Sequence, residues 1–95
     1  PKPTPRFKAS SGTRNEQSVT YHATPSIAKG WLESRMKDIK KWGESFSHEV
    51  RDQMTSNLYQ MSSVNLTDAK KGRSWEWVAF DAVSNVEFVF RLEVL

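Results

Sequence analysis

Residues 74–95 read SWEWVAFDAVSNVEFVFRLEVL and carry the strongest pattern in the chain. Within residues 86–94 every second side chain is apolar, and the residues between them are mostly charged. Alternation with a period of two lets a β-strand bury one face, whereas a helix cannot bury such a set on one side. The stretch therefore predicts a C-terminal antiparallel β-hairpin that forms the floor of the core.

Two loop lengths keep the apolar residues of this hairpin on one face. A two-residue loop at 84–85 places Glu76 opposite Glu93, where like charges repel, and Ser-Asn is a poor sequence for such a turn. A four-residue loop at 82–85 instead places Glu76 opposite Arg91, and we predict this register. The core face then carries Trp75, Trp77, Ala79, Val86, Phe88, Phe90, Leu92 and Val94.

The opposite face of the hairpin carries three apolar side chains that a solvated sheet face does not need. They are Val78, Phe80 and Val89, and Val78 lies directly opposite Val89 in the predicted register. They lie beside a final strand whose outer edge we expect to be open. Either the N-terminal residues or a second copy covers them, or they are a small exposed patch of a common kind. We predict that they form the interface of a homodimer.

The middle of the chain is predicted to be helical. Thr24 is a good N-cap, and Pro25 loses no hydrogen bond at the first helical position. The apolar stripe continues past Gly43, but each i,i+4 step rotates it by about 40° on a straight helix. A break at Gly43 removes that drift, so we favour two consecutive helices over one long, kinked helix across residues 25–62. The predicted stripe is Ile27, Trp31, Met36, Ile39, Trp42, Phe46, Val50, Met54, Leu58 and Met61.

The N-terminal part gives weaker signals. Residues 1–6, PKPTPR, are predicted to be a flexible, basic, Pro-rich arm, because proline and its neighbours favour extended conformations. Residues 6–10 and 17–23 alternate weakly around a turn at 11–15, which predicts a weak β-hairpin. The whole chain, residues 1–95, is therefore predicted to be one small α+β domain in which the C-terminal hairpin packs on the helices.

The chain shows no motif for catalysis, for a cofactor or for a metal ion. It contains no cysteine, and His22 and His48 are far apart and lie in no metal-ligand spacing. Asp81 is the one acid on the apolar face of the hairpin, at its turn end, where we expect it to reach water. No phosphate-binding loop or nucleophile elbow is present. We therefore predict a protein that is not an enzyme and that binds no cofactor.

Positive charge is concentrated before residue 74. Residues 1–73 hold 13 Lys and Arg against 7 Asp and Glu, a net of +6, and residues 74–95 have a net of −3. Such a distribution favours an acidic partner or association between copies. Two basic clusters next to tryptophans also resemble the cations and rings that bind single strands of nucleic acid. The clusters are Lys37, Lys40, Lys41 and Trp42, and Lys70, Lys71 and Arg73.

These features predict an interaction module and no chemistry. We expect a protein-interaction or assembly module that associates with itself or with another protein, as small regulators and viral or phage accessory proteins do. The alternative is a nucleic-acid-binding module that uses the basic first three-quarters of the chain. No apolar stretch approaches the roughly 18 residues of a membrane span, and no signal peptide is visible. Together with the lack of cysteine, this predicts a cytoplasmic location.

Overall fold

The computed structural model describes residues 5–42 and 48–95, and for residues 39–42 and 48 it describes the backbone alone. Strands β1 (Phe7–Thr13) and β2 (Gln17–His22) come first, followed by helices α1 (Pro25–Trp42) and α2 (His48–Ser62). Strands β3 (Ser74–Asp81) and β4 (Val86–Val94) follow. The four strands form one antiparallel sheet in the order β2-β1-β4-β3. The helices pack on one face of this sheet, which confirms the predicted α+β fold.

The N-terminal hairpin is a larger part of the fold than its sequence indicates. β1 lies in the middle of the sheet, between β2 and β4, and buries Phe7 and Ala9 in the core. Its pattern is weak in sequence because Ser10 and Ser11 are also buried, at the centre of the strand. Gly12 is required near the turn, because a Cβ there would collide with the carbonyl oxygen of Glu16.

The expectation that the final strand has an open edge is wrong. β4 is paired on both sides, with β1 and with β3, so the edges of the sheet are β2 and β3. The physical reason is that β1 offers the apolar face that β4 needs on its second side: Phe7 lies opposite Val94, and Ala9 lies opposite Leu92. Two copies therefore cannot pair through the edge of β4.

The predicted register of the C-terminal hairpin is confirmed. Glu76 lies opposite Arg91, and Trp77 lies opposite Phe90. The loop spans residues 82–85, and Asn85 adopts a positive φ of 58°, as asparagine tolerates in turns. The hairpin therefore has the predicted four-residue loop. A two-residue loop would favour the sequence Asn-Gly, which is absent here.

Asp81 is fully buried, and the expectation that it reaches water is wrong. Its carboxylate accepts hydrogen bonds from the backbone N–H groups of Val83 and Ser84, at 3.4 and 3.2 Å. The Ser84 hydroxyl donates a third bond at 2.5 Å. The loop folds back over the carboxylate, because an aspartate side chain bonds readily to the backbone two or three residues further on.

The helical region forms two helices, as predicted, and the apolar stripe of α2 is confirmed in Val50, Met54 and Met61. The predicted stripe of α1 is confirmed at Met36, which is fully buried, and Trp31 packs against the core. At the start of the helix the prediction is wrong, because Ile27 is 59% exposed and Ala28 and Leu32 are fully buried. Small Ala28 is easily overlooked in sequence, yet it lets the helix approach the sheet closely. The predicted break at Gly43, the side chains of Ile39, Trp42 and Phe46, and the arm residues 1–4 lie outside the described residues.

Candidate interaction surfaces

The face of the sheet opposite the helices carries the three residues that the sequence predicts as an interface. Val78 and Phe80 on β3 are 42% and 43% exposed, and no described element covers them. Val89 lies opposite Val78 but is only 2% exposed, because it sits on β4 between Val78 and Gly12 of the neighbouring strands. We call Val78, Phe80 and Val89 the outer patch. Its first two residues offer apolar area to a partner, and Val89 supports them from within.

A group of charges borders the outer patch at the turn end of the sheet. The guanidinium of Arg14 contacts the carboxylate of Glu87 and lies 3.6 Å from that of Glu76. The hydrogen bond and the ion pair with Glu87, followed by the weaker influence of Glu76, raise the pKa of Arg14 above its ordinary value. Arg14 thus links the β1–β2 turn to both strands of the C-terminal hairpin.

The edge of β3 is closed by two amide side chains of α2. Gln53 donates its Nε2 to the carbonyl of Phe80 and accepts the Phe80 N–H on its Oε1, both at 3.0 Å. Asn57 is buried and donates its Nδ2 to the carbonyl of Val78 at 3.0 Å. The two amides therefore occupy three of the hydrogen-bonding groups that another strand would use. Exposed edges of this kind otherwise favour pairing.

The sequence analysis missed this closure of the edge. The signal is the i,i+4 spacing of Gln53 and Asn57, which places both amides on one side of α2. That side of α2 adjoins the buried stripe of Val50 and Met54. Both amides are therefore expected to lie next to the sheet or its edge. The sequence shows the spacing but not which strand the helix approaches.

The second predicted basic cluster lines a groove at the other end of β3. The groove has a volume of about 660 Å³, and its lining includes Lys70, Arg73 and Trp75. The Arg73 guanidinium lies 5.3 Å from the centre of the Trp75 ring, close enough for a cation–π contact. Lys71 is exposed nearby, whereas Trp77 is buried in the core and unavailable to a ligand. The structure thus brings two cations and one partly exposed ring together.

The first predicted basic cluster is only partly visible. Lys37 is on α1 and pairs with Glu33 at 2.8 Å, an i,i+4 contact that is common on helix surfaces. It does not line the groove of the second cluster. The side chains of Lys40, Lys41 and Trp42 lie outside the described residues.

The described residues hold no group of His, Asp or Glu side chains that could bind a metal ion. His22 has a structural environment: its Nε2 lies 2.7 Å from the Thr20 hydroxyl, and its ring lies 6.1 Å from that of Trp31. The side chain of His48 is among those not described. No helix in the described part of the chain is long and apolar enough to cross a membrane.

Comparison with known proteins finds a similarity that covers most of this chain. The chain is 29% identical over 73 residues to the merozoite receptor PK66 of Plasmodium knowlesi (strain nuri). The alignment covers 76% of this chain and 13% of that protein, so the chain spans a small part of the receptor's length. No family model and no solved structure matches the chain.

Proposed function

We propose that this chain is a non-enzymatic, self-associating protein-interaction module and that the outer patch is one of its contacts. The observation that carries the proposal is the half-exposure of Val78 and Phe80 on a sheet face that no described element covers. Burying a fully exposed large apolar side chain is worth about 1.5–3 kcal/mol, and the half-exposed Val78 and Phe80 would each contribute less than half of that. A homotypic contact presents the same patch from both copies, so two valines and two phenylalanines meet.

The arrangement of polar and apolar residues supports a specific contact rather than non-specific hydrophobic association. Arg14, Glu76 and Glu87 form a polar border beside the apolar centre, and interfaces combine an apolar core with a polar rim in this way. The similarity to a protein whose name describes a receptor also agrees with a role in binding. The class of viral or phage accessory proteins and a cytoplasmic location stay predictions.

The test replaces the exposed part of the patch with charge. The variant Val78→Lys with Phe80→Lys keeps the buried Val89 intact, because a charge at that site would damage the monomer. We expect the variant to remain folded by circular dichroism and to show a lower mean mass than the wild type in sedimentation velocity at equal concentration.

The matched control adds the same charge elsewhere. Ile27 and Tyr59 are 59% and 76% exposed on α1 and α2, in the layer on the other side of the sheet. Ile27→Lys with Tyr59→Lys should leave the mass at the wild-type value. A folded patch variant with the wild-type mass contradicts the role of the outer patch.

A second candidate function is nucleic-acid binding through the groove of Lys70, Arg73 and Trp75. The observation that favours it is the placement of two cations beside an aromatic ring, the combination that single-strand-binding surfaces use. Asp68 also lines the groove and weakens its attraction for phosphate. Lys37, Lys40, Lys41 and Trp42 belong to this alternative as predicted from the sequence.

The alternative is tested by fluorescence anisotropy with a mixed-sequence oligonucleotide, single- and double-stranded, at low salt. Lys70→Ala with Arg73→Ala should weaken binding and flatten the salt dependence by roughly one unit per lost phosphate contact. Lys8→Ala with Arg51→Ala removes the same charge outside the groove and should have a smaller effect. Absence of binding by the wild type to either form at low salt excludes this function.

A further inference from the structure

We propose that strand β2 is a second self-association site, at which two copies join edge to edge in antiparallel fashion around Val19. The pairing extends the four-stranded sheet of each copy into one continuous sheet. It rests on the proposed function in that both contacts join copies of this chain, but it uses none of the outer-patch residues. The contact is therefore testable separately.

The hydrogen-bonding groups of β2 that point away from the sheet follow from its register. Thr13 and Glu16 exchange two backbone hydrogen bonds, at 2.8 and 3.3 Å, at the turn of the N-terminal hairpin. Hydrogen-bonded and non-hydrogen-bonded pairs alternate along an antiparallel ladder. The backbone groups of Gln17, Val19 and Tyr21 therefore face the outer edge. Among the described residues, no side chain or strand bonds to them.

The two edges of the sheet differ in how they are protected. Proteins usually guard an edge strand with lysine, proline, a bulge or a covering element. On β3 the amides of Gln53 and Asn57 supply that cover. β2 reads QSVTYH and has no lysine, arginine or proline, and Val19 and Tyr21 are 46% and 57% exposed. In the described part of the chain, the β2 edge thus combines backbone groups without such cover with exposed apolar side chains.

The sequence of β2 is self-complementary when two copies pair around Val19. In that register Val19 lies opposite Val19, and Gln17 lies opposite Tyr21 of the second copy. Glu16 lies opposite His22, so no like charges face each other, and like charges directly opposite are destabilising. In this register, residues 16–22 of the two copies lie side by side. The outward backbone groups of Gln17, Val19 and Tyr21 then bond to those of Tyr21, Val19 and Gln17 of the second copy. A second copy therefore satisfies the whole edge.

Val19→Pro tests the contact, because proline removes the outward N–H without taking a hydrogen bond from β1. Val19→Thr is the matched control, since it keeps the N–H and the β-branched shape. We expect Val19→Pro to be folded by circular dichroism and to have a lower mean mass than the wild type and Val19→Thr. Combined with Val78→Lys and Phe80→Lys, it should be a monomer, because both contacts are then broken.

The outcomes separate this inference from the proposed function. Val19→Pro with the wild-type mass overturns the edge contact, and so does a monomeric Val78→Lys, Phe80→Lys variant. Val19→Pro that is itself a monomer supports the edge contact and overturns the role of the outer patch. A wild type that is monomeric at every concentration overturns both.

Hydrogen exchange of the wild-type chain gives a readout that needs no variant. Edge pairing predicts that the amides of Gln17, Val19 and Tyr21 exchange slowly at high protein concentration and quickly on dilution. Those of Ser18 and Thr20, which face β1, should change little. Equal exchange of the Val19 and Tyr21 amides at both concentrations overturns the inference.

Discussion

The burial of Trp77 tests which face of β3 packs against the core. Trp77 is 6% exposed and lies opposite Phe90 in the middle of the core. The alternation of residues 74–81 was sufficient to place it there, because a strand at a sheet edge still has one face toward the helices. Its burial also removes it from the set of rings that a nucleic-acid ligand could use.

We predict that Trp77→Ala costs about 3–5 kcal/mol of unfolding free energy, the range for large aromatic side chains in a core. The measurement is the midpoint of urea unfolding. Val83→Ala is the control, because Val83 is 81% exposed in the hairpin loop and its truncation should change stability by less than about 0.5 kcal/mol. A Trp77→Ala midpoint equal to the wild-type value would show that the ring is not packed in the core.

Asp81 is a residue whose environment differs from the prediction. An acidic side chain was expected to reach water, but Asp81 is fully buried. Its carboxylate binds two backbone N–H groups and the Ser84 hydroxyl, so it fixes the loop at residues 82–85. We predict that Asp81→Ala destabilises the chain by about 1–3 kcal/mol, because it removes the hydrogen bonds to a charged group that fix the loop. Ser84→Ala removes the hydroxyl bond alone and should cost less in the same urea titration. A larger loss for Ser84→Ala than for Asp81→Ala would contradict this role.

Among the secondary-structure elements, α2 makes two kinds of contact with the sheet, and different side chains make them. Its apolar stripe packs into the core, and its amides Gln53 and Asn57 close the edge of β3. The amides bond to part of the β3 edge and leave the outer patch exposed on the face beside it. In the association that we propose, copies meet through the face of β3 and the edge of β2.

We predict that Gln53→Ala with Asn57→Ala opens the β3 edge and promotes aggregation with β-structure, as exposed edge strands do. The loss of three hydrogen bonds to β3, and of the one from Gln53 to the Glu49 carbonyl, should also lower the unfolding free energy by about 1–3 kcal/mol. Thioflavin fluorescence over time and urea unfolding measure the two effects. Gln60→Ala is the control, because the Gln60 side chain bonds to Ser56 on the same helix and to no strand in the described part of the chain. Unchanged aggregation of the double variant would show that the amides do not protect the edge.

The sequence was sufficient to predict the elements with strong periodicity. It was not sufficient to predict the order of the strands in the sheet. The register of β3 and β4 followed from the charges of Glu76 and Arg91. The central place of β1 did not, because the buried Ser10 and Ser11 look like loop residues. The outer patch was found from alternation, but the burial of Val89 depends on a neighbour strand that local patterns cannot assign. The openness of the β2 edge needs the same information about strand order.

For the whole molecule, we propose association between copies from the position of its exposed surfaces. The helices cover one face of the sheet, the outer patch lies on the other, and β2 is unguarded at one edge. The basic groove of Lys70, Arg73 and Trp75 lies apart from the outer patch, and the two surfaces share no residue. Salt separates the two functions, because phosphate binding weakens steeply with salt and an apolar contact does not.

The mean mass of the wild-type chain across a concentration series, by sedimentation velocity without nucleic acid, tests self-association most directly. We predict that the mass rises from that of the monomer to that of a dimer or larger assembly, and that raising the salt concentration does not reverse the rise. A mass that stays at the monomer value over the whole series would contradict self-association.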